Sequence, residues 1–338
     1  MRVKEGEVLQ LLLSILSLMG RVLLESFSSW PFLMIFVLLF IIVVWQYKRL
    51  EEMSVVKPSP GRYLRSALMS SLLGILGGVL GSLCLILIGI DLTNIAIMQL
   101  WLAALILMLI NARFLCFAYA GGFLSLLYIF TGYPDLDVPQ LMGLIAVLHM
   151  MESLLILANG SYNPLPVYVK IGGELRVGFN LQKFWPIPLV ALMSSGMLAD
   201  PGTSINMPDW WPLLKGYSAM APAQNYVLLP VLAVLGYGEI CTTSKPAQRV
   251  RKSAFNLLLF SITLLILAVL SSRWSPLLLI TALFAPLGHE AVIWLGKLEE
   301  SRGKALQIPA EPVTKYVIIN DARFDRFLIR LWRRIKKH

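Results

Sequence analysis

The chain contains nine strongly apolar runs, each close to the length of a membrane-spanning helix. They cover residues 31–46, 66–90, 95–111, 114–130, 139–158, 184–199, 226–241, 254–272 and 275–296. A helix needs about 20 apolar residues to cross the hydrocarbon core of a bilayer. The chain is 57% hydrophobic and 14% charged, a balance that a soluble domain of 338 residues cannot bury. The sequence therefore predicts an all-α, polytopic membrane protein with about nine transmembrane helices.

The N-terminal stretch is a tenth candidate span. Residues 8–24 are apolar but carry Arg21, and Glu25 follows them. Two interpretations stay open, a short interfacial helix or a true span. No small-residue cleavage site follows a clean apolar core, so we do not expect a removable signal peptide. We divide the chain into an N-terminal short or interfacial helix (1–30) and a transmembrane helical domain (31–296).

The distribution of basic residues predicts the orientation of the spans. Cytoplasmic connections of bacterial membrane proteins carry an excess of Lys and Arg. Of the 29 basic residues, 24 lie on alternate connections and on the C-terminal segment. This pattern predicts a multi-pass protein of the bacterial cytoplasmic membrane with a cytoplasmic C-terminus. The net charge of +10 then reflects orientation and contact with anionic lipids, and we expect no nucleic-acid partner.

A short segment between two of the apolar runs predicts a β-hairpin. Residues 167–179 alternate between apolar and polar side chains on either side of Gly172 and Gly173. A Gly-Gly pair supplies the positive φ angles that a two-residue hairpin turn requires. We therefore expect one small cytoplasmic hairpin. It should dock on helix ends or on a partner, because an isolated hairpin is only marginally stable in water.

The C-terminal segment predicts a basic amphipathic helix. A cytoplasmic linker (297–321) precedes residues 322–338, in which apolar side chains recur at helical spacing. The basic residues of this helix are Arg323, Arg326, Arg330, Arg333, Arg334, Lys336 and Lys337. Such a helix lies on an anionic membrane surface, where each basic residue contributes about 1 kcal/mol. Binding to a protein partner is the alternative.

Five ionisable residues fall inside the apolar runs, at similar depth. They are His149, Glu152, Glu239, His289 and Glu290. Charged groups inside a membrane are costly and usually face the bundle interior, which makes them candidates for a functional site. We expect a structural role, either a hydrogen-bonded His/Glu pair that holds the spans together or, for Glu290, a position at the cytoplasmic interface beside Lys297. A proton or ion path is the first alternative, and a metal site that uses His149, Glu152, His289 and Glu290 is the second.

Two further features of the sequence argue against a metal cofactor. The HExxH motif of zinc proteases fails, because Ile293 stands where the second histidine is required after His289 and Glu290. The cysteines Cys84, Cys116 and Cys241 have unrelated spacings and no CxxC motif. We therefore expect them to be small lipid-facing or packing residues, with neither a disulfide nor a thiolate metal site, and we expect no cofactor.

Five segments carry a resemblance to a known family. They are "ARFLCFAYAGGFLSL", "DVPQLMGLIAVLHMMESLLI", "VYVKIGGELRVGFNLQKFWPIPLV", "MPDWWPLL" and "ALFAPLGHEAVIWLGKLEE", in this order. Together they resemble the membrane region of multispanning Firmicutes proteins with a PDZ domain, a group similar to the division-site topological determinant of the Min system. The resemblance covers roughly residues 30–300. It implies an integral membrane scaffold whose partners are division or polarity proteins.

The sequence departs from this family where the PDZ domain would begin. The linker 297–321 reads as a vestigial PDZ start, and too few residues follow it for a PDZ fold. Peptide binding by strand addition is therefore not implied. The expected function is a non-enzymatic scaffold or placement factor in cell division or polarity. A proton- or ion-coupled transporter and an intramembrane metal-dependent hydrolase are the alternatives, and homo-oligomerisation stays open.

Overall fold

The structure is a computed structural model that describes residues 5–171, 174–196, 207–208, 210–215, 225–304, 306 and 317–318. Its helices are α1 (Glu5–Ser28), α2 (Trp30–Met53), α3 (Pro60–Ile88), α4 (Ile97–Ile110), α5 (Phe117–Thr131), α6 (Val138–Asn159), α7 (Pro246–Ser271) and α8 (Leu277–Arg302). A 3₁₀ turn, Ala112–Leu115, joins α4 to α5. The strands are β1 (Leu165–Ile171), β2 (Glu174–Asn180), β3 (Lys183–Gly196), β4 (Asn225–Tyr237), β5 (Ile240–Cys241) and β6 (Val317–Ile318).

Six of the described helices are long and apolar enough to cross a membrane. These are α1 from Leu9 onwards, α2, α3, α6, α7 and α8, whereas α4 and α5 are shorter. The protein is therefore an α-helical, multi-pass membrane protein. Helix α6 lies at its centre, because 72% of the residues in its most apolar stretch are buried within the protein. The stretch 8–24, which the sequence left between two interpretations, forms part of a helix of spanning length.

Two of the nine predicted helices are instead the strands of a long β-hairpin. The predictions of helices at 184–199 and 226–241 are wrong, because β3 and β4 pair antiparallel over this region. The physical reason lies in Pro186, Pro188 and Pro230. Each proline removes a backbone donor and would clash with the preceding turn of a helix. An extended strand accepts proline where the missing donor is not needed by the ladder.

The hairpin of β3 and β4 packs against glycines of α3. A Cβ atom at Gly74 would collide with the carbonyl oxygen of Pro186, and one at Gly78 with that of Pro188. Glycine therefore allows this strand to lie directly on the helix backbone. The Ser82 hydroxyl accepts a hydrogen bond from the Val190 amide at 2.7 Å, which further fixes the strand. These glycines pack within the chain, against a strand rather than another helix.

A second, smaller sheet surrounds the segment in which a hairpin was predicted. Strands β1 and β2 pair antiparallel from Leu165↔Asn180 to Ile171↔Glu174. The turn residues Gly172 and Gly173 lie outside the described residues. Strand β5 extends the sheet beside β2, and β6 pairs parallel with β1. The cytoplasmic position of this sheet stays a prediction.

The helix bundle has two distinct ends. At the sheet end, α2, α6 and α8 finish beside the β1–β2 sheet, and the Val55 amide donates to the Pro166 carbonyl at 3.0 Å. At the loop end, α3 finishes and α4 and α6 begin, and the Asp137 amide donates to the Asn94 carbonyl at 2.7 Å. Every long helix runs between these two ends.

Candidate metal centre

The predicted cluster of intramembrane ionisable residues divides into two separate groups. His149 on α6 and His289 on α8 face each other across the bundle, and Glu290 follows His289 on α8. Glu239 lies apart, between β4 and β5, where it binds Arg249 of α7. The similar depth that the sequence predicted therefore does not bring all five residues together.

Cys116 completes the first group. Its Sγ atom lies 3.1 Å from Nε2 of His149 and 3.6 Å from Nε2 of His289. The three potential ligand atoms all lie within 4.8 Å of one another. We call these three residues the Cys/His centre. The prediction that Cys116 is only a packing residue outside any thiolate metal site is not supported by this geometry.

The ring of His149 is oriented by its own helix. Its Nδ1 atom lies 2.8 Å from the carbonyl oxygen of Ile145, one turn earlier, and the side chain is only 4% exposed. A carbonyl oxygen can only accept, so Nδ1 carries the proton and Nε2 keeps its lone pair. This lone pair is directed at Cys116. A backbone hydrogen bond to the distal nitrogen is the usual support of a metal-binding histidine.

Tight packing of α5 places Cys116 between the two histidines. A Cβ atom at Gly121 would collide with the side chain of Ile145, and one at Gly122 would lie 2.5 Å from the ring of Pro286. The two glycines therefore allow α5 to approach α6 and α8 closely. Cys116 immediately precedes α5 and is its N-cap residue.

Aromatic rings close the sides of the Cys/His centre. Phe260 of α7 lies 5.4 Å from the His149 ring and 5.7 Å from the His289 ring, centroid to centroid. Phe284 stacks on Phe260 at 5.7 Å. The Tyr119 ring makes an edge contact with His289 at 5.2 Å. These walls exclude bulk water from the sides of the centre and lower its local dielectric constant.

Glu290 faces Arg113 and Tyr119 rather than the Cys/His centre. Its carboxylate accepts from the Arg113 guanidinium at 2.9 Å and from the Tyr119 hydroxyl at 2.7 Å. Arg113 belongs to the 3₁₀ turn that precedes Cys116. Glu290, one of the weak metal candidates of the sequence, is therefore engaged in an ion pair beside the centre.

Glu152 differs from the other carboxylates. It lies one helical turn after His149, on the same face of α6, and is partly exposed. Its charge is close enough to interact with Cys116. Among the described residues it has neither a hydrogen-bond nor an ion-pair partner. The Nδ1 atom of His289 also has no hydrogen-bond partner in the described part of the chain, and this atom is buried.

The geometry of the Cys/His centre fits a tetrahedral transition metal. Zn²⁺ binds thiolate sulfur at about 2.3 Å and imidazole nitrogen at about 2.0 Å, which separates the two ligand atoms by about 3.5 Å. The separations of 3.1 and 3.6 Å are close to this value. A thiolate with two imidazoles suits Zn²⁺ and related ions. The three residues could therefore hold a metal with modest adjustment.

The network around Glu239 is saturated without any ligand. Its carboxylate accepts two hydrogen bonds from Arg249, at 2.7 and 3.1 Å, and one each from Tyr237 and Ser253. Arg249 also donates to the Gly296 carbonyl of α8 at 2.7 Å. This network joins β4, α7 and α8 at the sheet end. It is a structural connection between these elements.

Other predicted sites lie outside the described residues. These are the hairpin turn at Gly172 and Gly173 and the basic helix with Arg323, Arg326, Arg330, Arg333, Arg334, Lys336 and Lys337. Their predictions are unchanged.

Comparison of the chain with protein-family models, with curated proteins and with solved structures found no match. The resemblance to PDZ-domain membrane proteins therefore rests on the five sequence segments alone. What the Cys/His centre can do has to follow from its own geometry.

Proposed function

We propose that this protein is an intramembrane metal-dependent hydrolase that binds Zn²⁺, or a closely related ion, at Cys116, His149 and His289. The observation that carries the proposal is the convergence of the three ligand atoms within 4.8 Å. The three residues come from separate elements, so their convergence is a property of the tertiary fold rather than of one helix.

Charge supports a divalent ion at this position. A free thiolate between α5, α6 and α8 would be strongly disfavoured, because the surroundings have a low dielectric constant. A divalent cation offsets the thiolate charge, and Glu152 nearby supplies a second negative charge. The ion, Cys116 and Glu152 together would be close to neutral. Neutral imidazoles, as the hydrogen bond of His149 to Ile145 favours, complete the set.

A set of three ligands among the described residues favours catalysis over a purely structural role. Structural zinc sites usually have four protein ligands, whereas catalytic sites have three and leave a position for water. When bound, such a metal lowers the pKa of that water towards neutrality. Glu152, one helical turn from His149 and without a partner among the described residues, is suited to accept a proton. The aromatic walls favour an apolar substrate within the membrane.

Metal content tests the first part of the proposal. The protein is purified in detergent with a tag that binds no metal, loaded with Zn²⁺, dialysed and measured by mass spectrometry. About one zinc per chain is expected for the wild type. His149→Ala and His289→Ala should lose most of it. Cys84→Ser is the matched control and should keep the wild-type content. Equal zinc in all four proteins would overturn the proposal.

Activity tests the second part and separates the hydrolase from a transporter. Proteoliposomes receive either fluorogenic lipid esters and peptides or an enclosed zinc-sensitive dye. Zinc-dependent hydrolysis that His149→Ala abolishes supports the hydrolase. Zinc flux without hydrolysis would replace it with the ion-coupled transporter that the sequence left open.

We propose that the sheet end faces the cytoplasm of a bacterial cell. The support is the distribution of basic residues: of the 24 that the sequence assigns to cytoplasmic connections and the C-terminal segment, all but Arg113, at the tip of the α4–α5 hairpin, belong to connections on this side. Replacing two predicted spans with β3 and β4 does not alter this assignment, because an antiparallel hairpin returns the chain to the side from which it started. The charged sheet end would contact anionic lipids.

A scaffold role in cell division or polarity, with division or polarity proteins as partners, stays a prediction supported by the family resemblance. The basic helix 322–338 would contribute membrane-surface contacts. A fluorescent fusion at the N-terminus, imaged in growing cells, tests it. Enrichment at septa or poles is expected, and a uniform membrane signal would count against it.

A further inference from the structure

Helices α4 and α5 form a hairpin that starts and finishes at the loop end. Asn94, just before α4, accepts a hydrogen bond at 2.7 Å from Asp137, the N-cap residue of α6, which follows α5 in the chain. The helices have 14 and 15 residues. At 1.5 Å per residue each is about 21–23 Å long, which is shorter than the hydrocarbon core of about 30 Å.

The tip of this hairpin lies near the middle of the long helices. Cys116, at the tip, contacts His149, the twelfth of the 22 residues of α6. It also contacts His289, the thirteenth of the 26 residues of α8. Both histidines are about 17–18 Å from the loop end of their helices. A comparable length of α6 and α8 continues from there to the sheet end.

We propose that α4 and α5 form a re-entrant hairpin that does not cross the membrane, and that a water-filled vestibule leads from the sheet end to its tip. Hydrated divalent transition-metal ions and water would reach the Cys/His centre through this vestibule. The role of the vestibule in metal loading rests on the proposed function, whereas the re-entrant topology does not.

The tip itself argues for water on its sheet-end side. Its backbone leaves the α-helical conformation between Asn111 and Cys116. Non-helical backbone at membrane depth is tolerated only where protein buries it or where it lines a water-filled cavity. The Arg113 and Glu290 side chains of the ion pair are 15% and 17% exposed. Exposure of an ion pair to hydrocarbon is costly, so this exposed surface should meet water.

Apolar and charged side chains are exposed on different parts of the hairpin and its neighbours. On α4, Leu109 is 82% and Ile110 72% exposed, as expected for a surface that faces lipid. On the side of α6 and α8, Glu152 and Glu290 are partly exposed among apolar neighbours such as Met150 and Val292. Glu152 lies one turn from His149 towards the sheet end, so it would line the vestibule.

Accessibility of Cys116 to a small, membrane-impermeant cationic thiol reagent tests the vestibule. The test uses chelator-treated full-length protein that lacks Cys84 and Cys241, in membrane vesicles of both orientations. Cys116 should react only from the sheet-end side, and more slowly than an exposed cysteine, because its low-dielectric surroundings disfavour the reactive thiolate. In a Cys116→Ala background, Glu152→Cys should react from the same side. No reaction of either cysteine, or reaction from the loop-end side, would overturn the vestibule.

Three control variants in the cysteine-free background calibrate the measurement. Leu109→Cys, on the lipid-facing side of α4, should react from neither side. Tyr133→Cys, at a position that is 69% exposed, should react only from the loop-end side. Val55→Cys, at a position that is 50% exposed near the sheet, should react from the sheet-end side.

A bulky reagent separates re-entry from complete crossing. A long polyethylene glycol maleimide should modify Val55→Cys in the native protein, but Cys116 only after denaturation. If α4 and α5 crossed completely, Cys116 would lie at the membrane surface and react before denaturation, which would overturn the re-entrant topology.

Zinc protection separates the vestibule from the proposed function. Loading with Zn²⁺ should slow the reaction of Cys116 with the small reagent at least about tenfold, since the thiolate is the nucleophile and the metal ligand. If Cys116 reacts from the sheet end and zinc does not slow the reaction, the vestibule does not lead to a metal site. The re-entrant topology would still be supported.

Discussion

The Cys/His centre and the Glu239 network lie in the same bundle but differ in how their polar groups are hydrogen-bonded. In the Glu239 network, the Glu239 carboxylate accepts four hydrogen bonds from Arg249, Tyr237 and Ser253. In the Cys/His centre, three potential ligand atoms converge on one another. Glu152 beside them has no partner among the described residues. In the Glu239 network, the chain itself supplies the hydrogen-bond partners of the carboxylate. In the Cys/His centre, the potential ligand atoms surround a common point.

This difference separates a structural cluster from a binding site. Polar groups in a low-dielectric interior need partners, because burying them unpaired costs stability. Where the chain supplies every partner, removing one should reduce stability. Where it brings potential metal-ligand atoms together instead, removing one should affect ligand binding more than folding. The predictions below test this distinction.

The largest effect is expected at the Glu239 network. Glu239→Ala leaves the Arg249 guanidinium, which is 7% exposed, without its main partner. Breaking a buried ion pair on one side costs about 3–5 kcal/mol. Thermal unfolding in detergent should show this loss, while zinc bound per folded chain stays unchanged. The control is Glu299→Ala, whose 40% exposed side chain lies 3.8 Å from Arg249 and should cost less than about 1 kcal/mol.

Loss of zinc from Glu239→Ala in proportion to its loss of stability would contradict the separation of the two groups. It would mean that the network and the centre form one cooperative unit.

Zinc should stabilise the protein through the Cys/His centre alone. A ligand at 100 times its Kd stabilises the folded state by about 2.7 kcal/mol if it does not bind the unfolded chain. We expect a corresponding rise in Tm for the wild type and none for Cys116→Ser. The melting temperatures of both proteins without zinc should be similar, because Cys116 contributes little packing as a small side chain. An equal zinc-dependent rise in both proteins would show that the metal binds elsewhere.

Close packing of α5 on α8 should be necessary for the centre. Gly122→Ala places a methyl group against the ring of Pro286 and near the Ala282 carbonyl. Overpacking of this kind costs about 1–3 kcal/mol and should move Cys116 away from the histidines. Both Tm and zinc affinity should fall. Gly20→Ala in α1 is the control, since its Cβ would meet nothing within 4 Å. Zinc affinity unchanged in Gly122→Ala would show that the position of α5 does not matter.

Hydropathy predicted the membrane class and the positions of the long helices, because burial in lipid requires long apolar runs in any fold. It could not distinguish β3 and β4 from helices, since both conformations of an apolar run satisfy the same composition. The prolines at 186, 188 and 230 were the available signal. Each argues against a helix interior.

The centre was predictable only in part. Depth along α6 and α8 identified His149 and His289, because residue count fixes height in a membrane helix. Cys116 was missed, since its height depends on α5 starting midway rather than at a surface. Arg113 and Asn111, polar residues in a break between two short apolar runs, were the sequence signal for that break. Lateral position, which separated Glu239 from the histidines, depends on tertiary packing and leaves no trace in residue spacing.

Lys183 offers the smallest but most direct test of how this fold treats a buried charge without a counter-ion. It begins β3, outside the candidate membrane spans, is 3% exposed and donates to the Tyr162 carbonyl at 2.6 Å. No described carboxylate lies within ion-pair distance. Burial lowers the pKa of Lys183 from 10.5 to about 8. Between these values the unfolded chain binds a proton that the folded chain has released, so stability should rise with pH.

Between pH 8 and pH 10, the free energy of unfolding of the wild type should therefore rise by up to about 1.4 kcal/mol per pH unit relative to Lys183→Met. Melting temperatures measured over this pH range should show the rise. Below pH 8 the difference between the two proteins should level off, since Lys183 is then charged in both the folded and the unfolded chain. Lys252→Met, at a 60% exposed position, is the control and should follow the wild type. Parallel profiles for wild type and Lys183→Met would show that water or an unassigned partner solvates this ammonium group. In that case, a buried polar atom without a described partner, such as Nδ1 of His289, would be a weaker sign of a binding site in this fold.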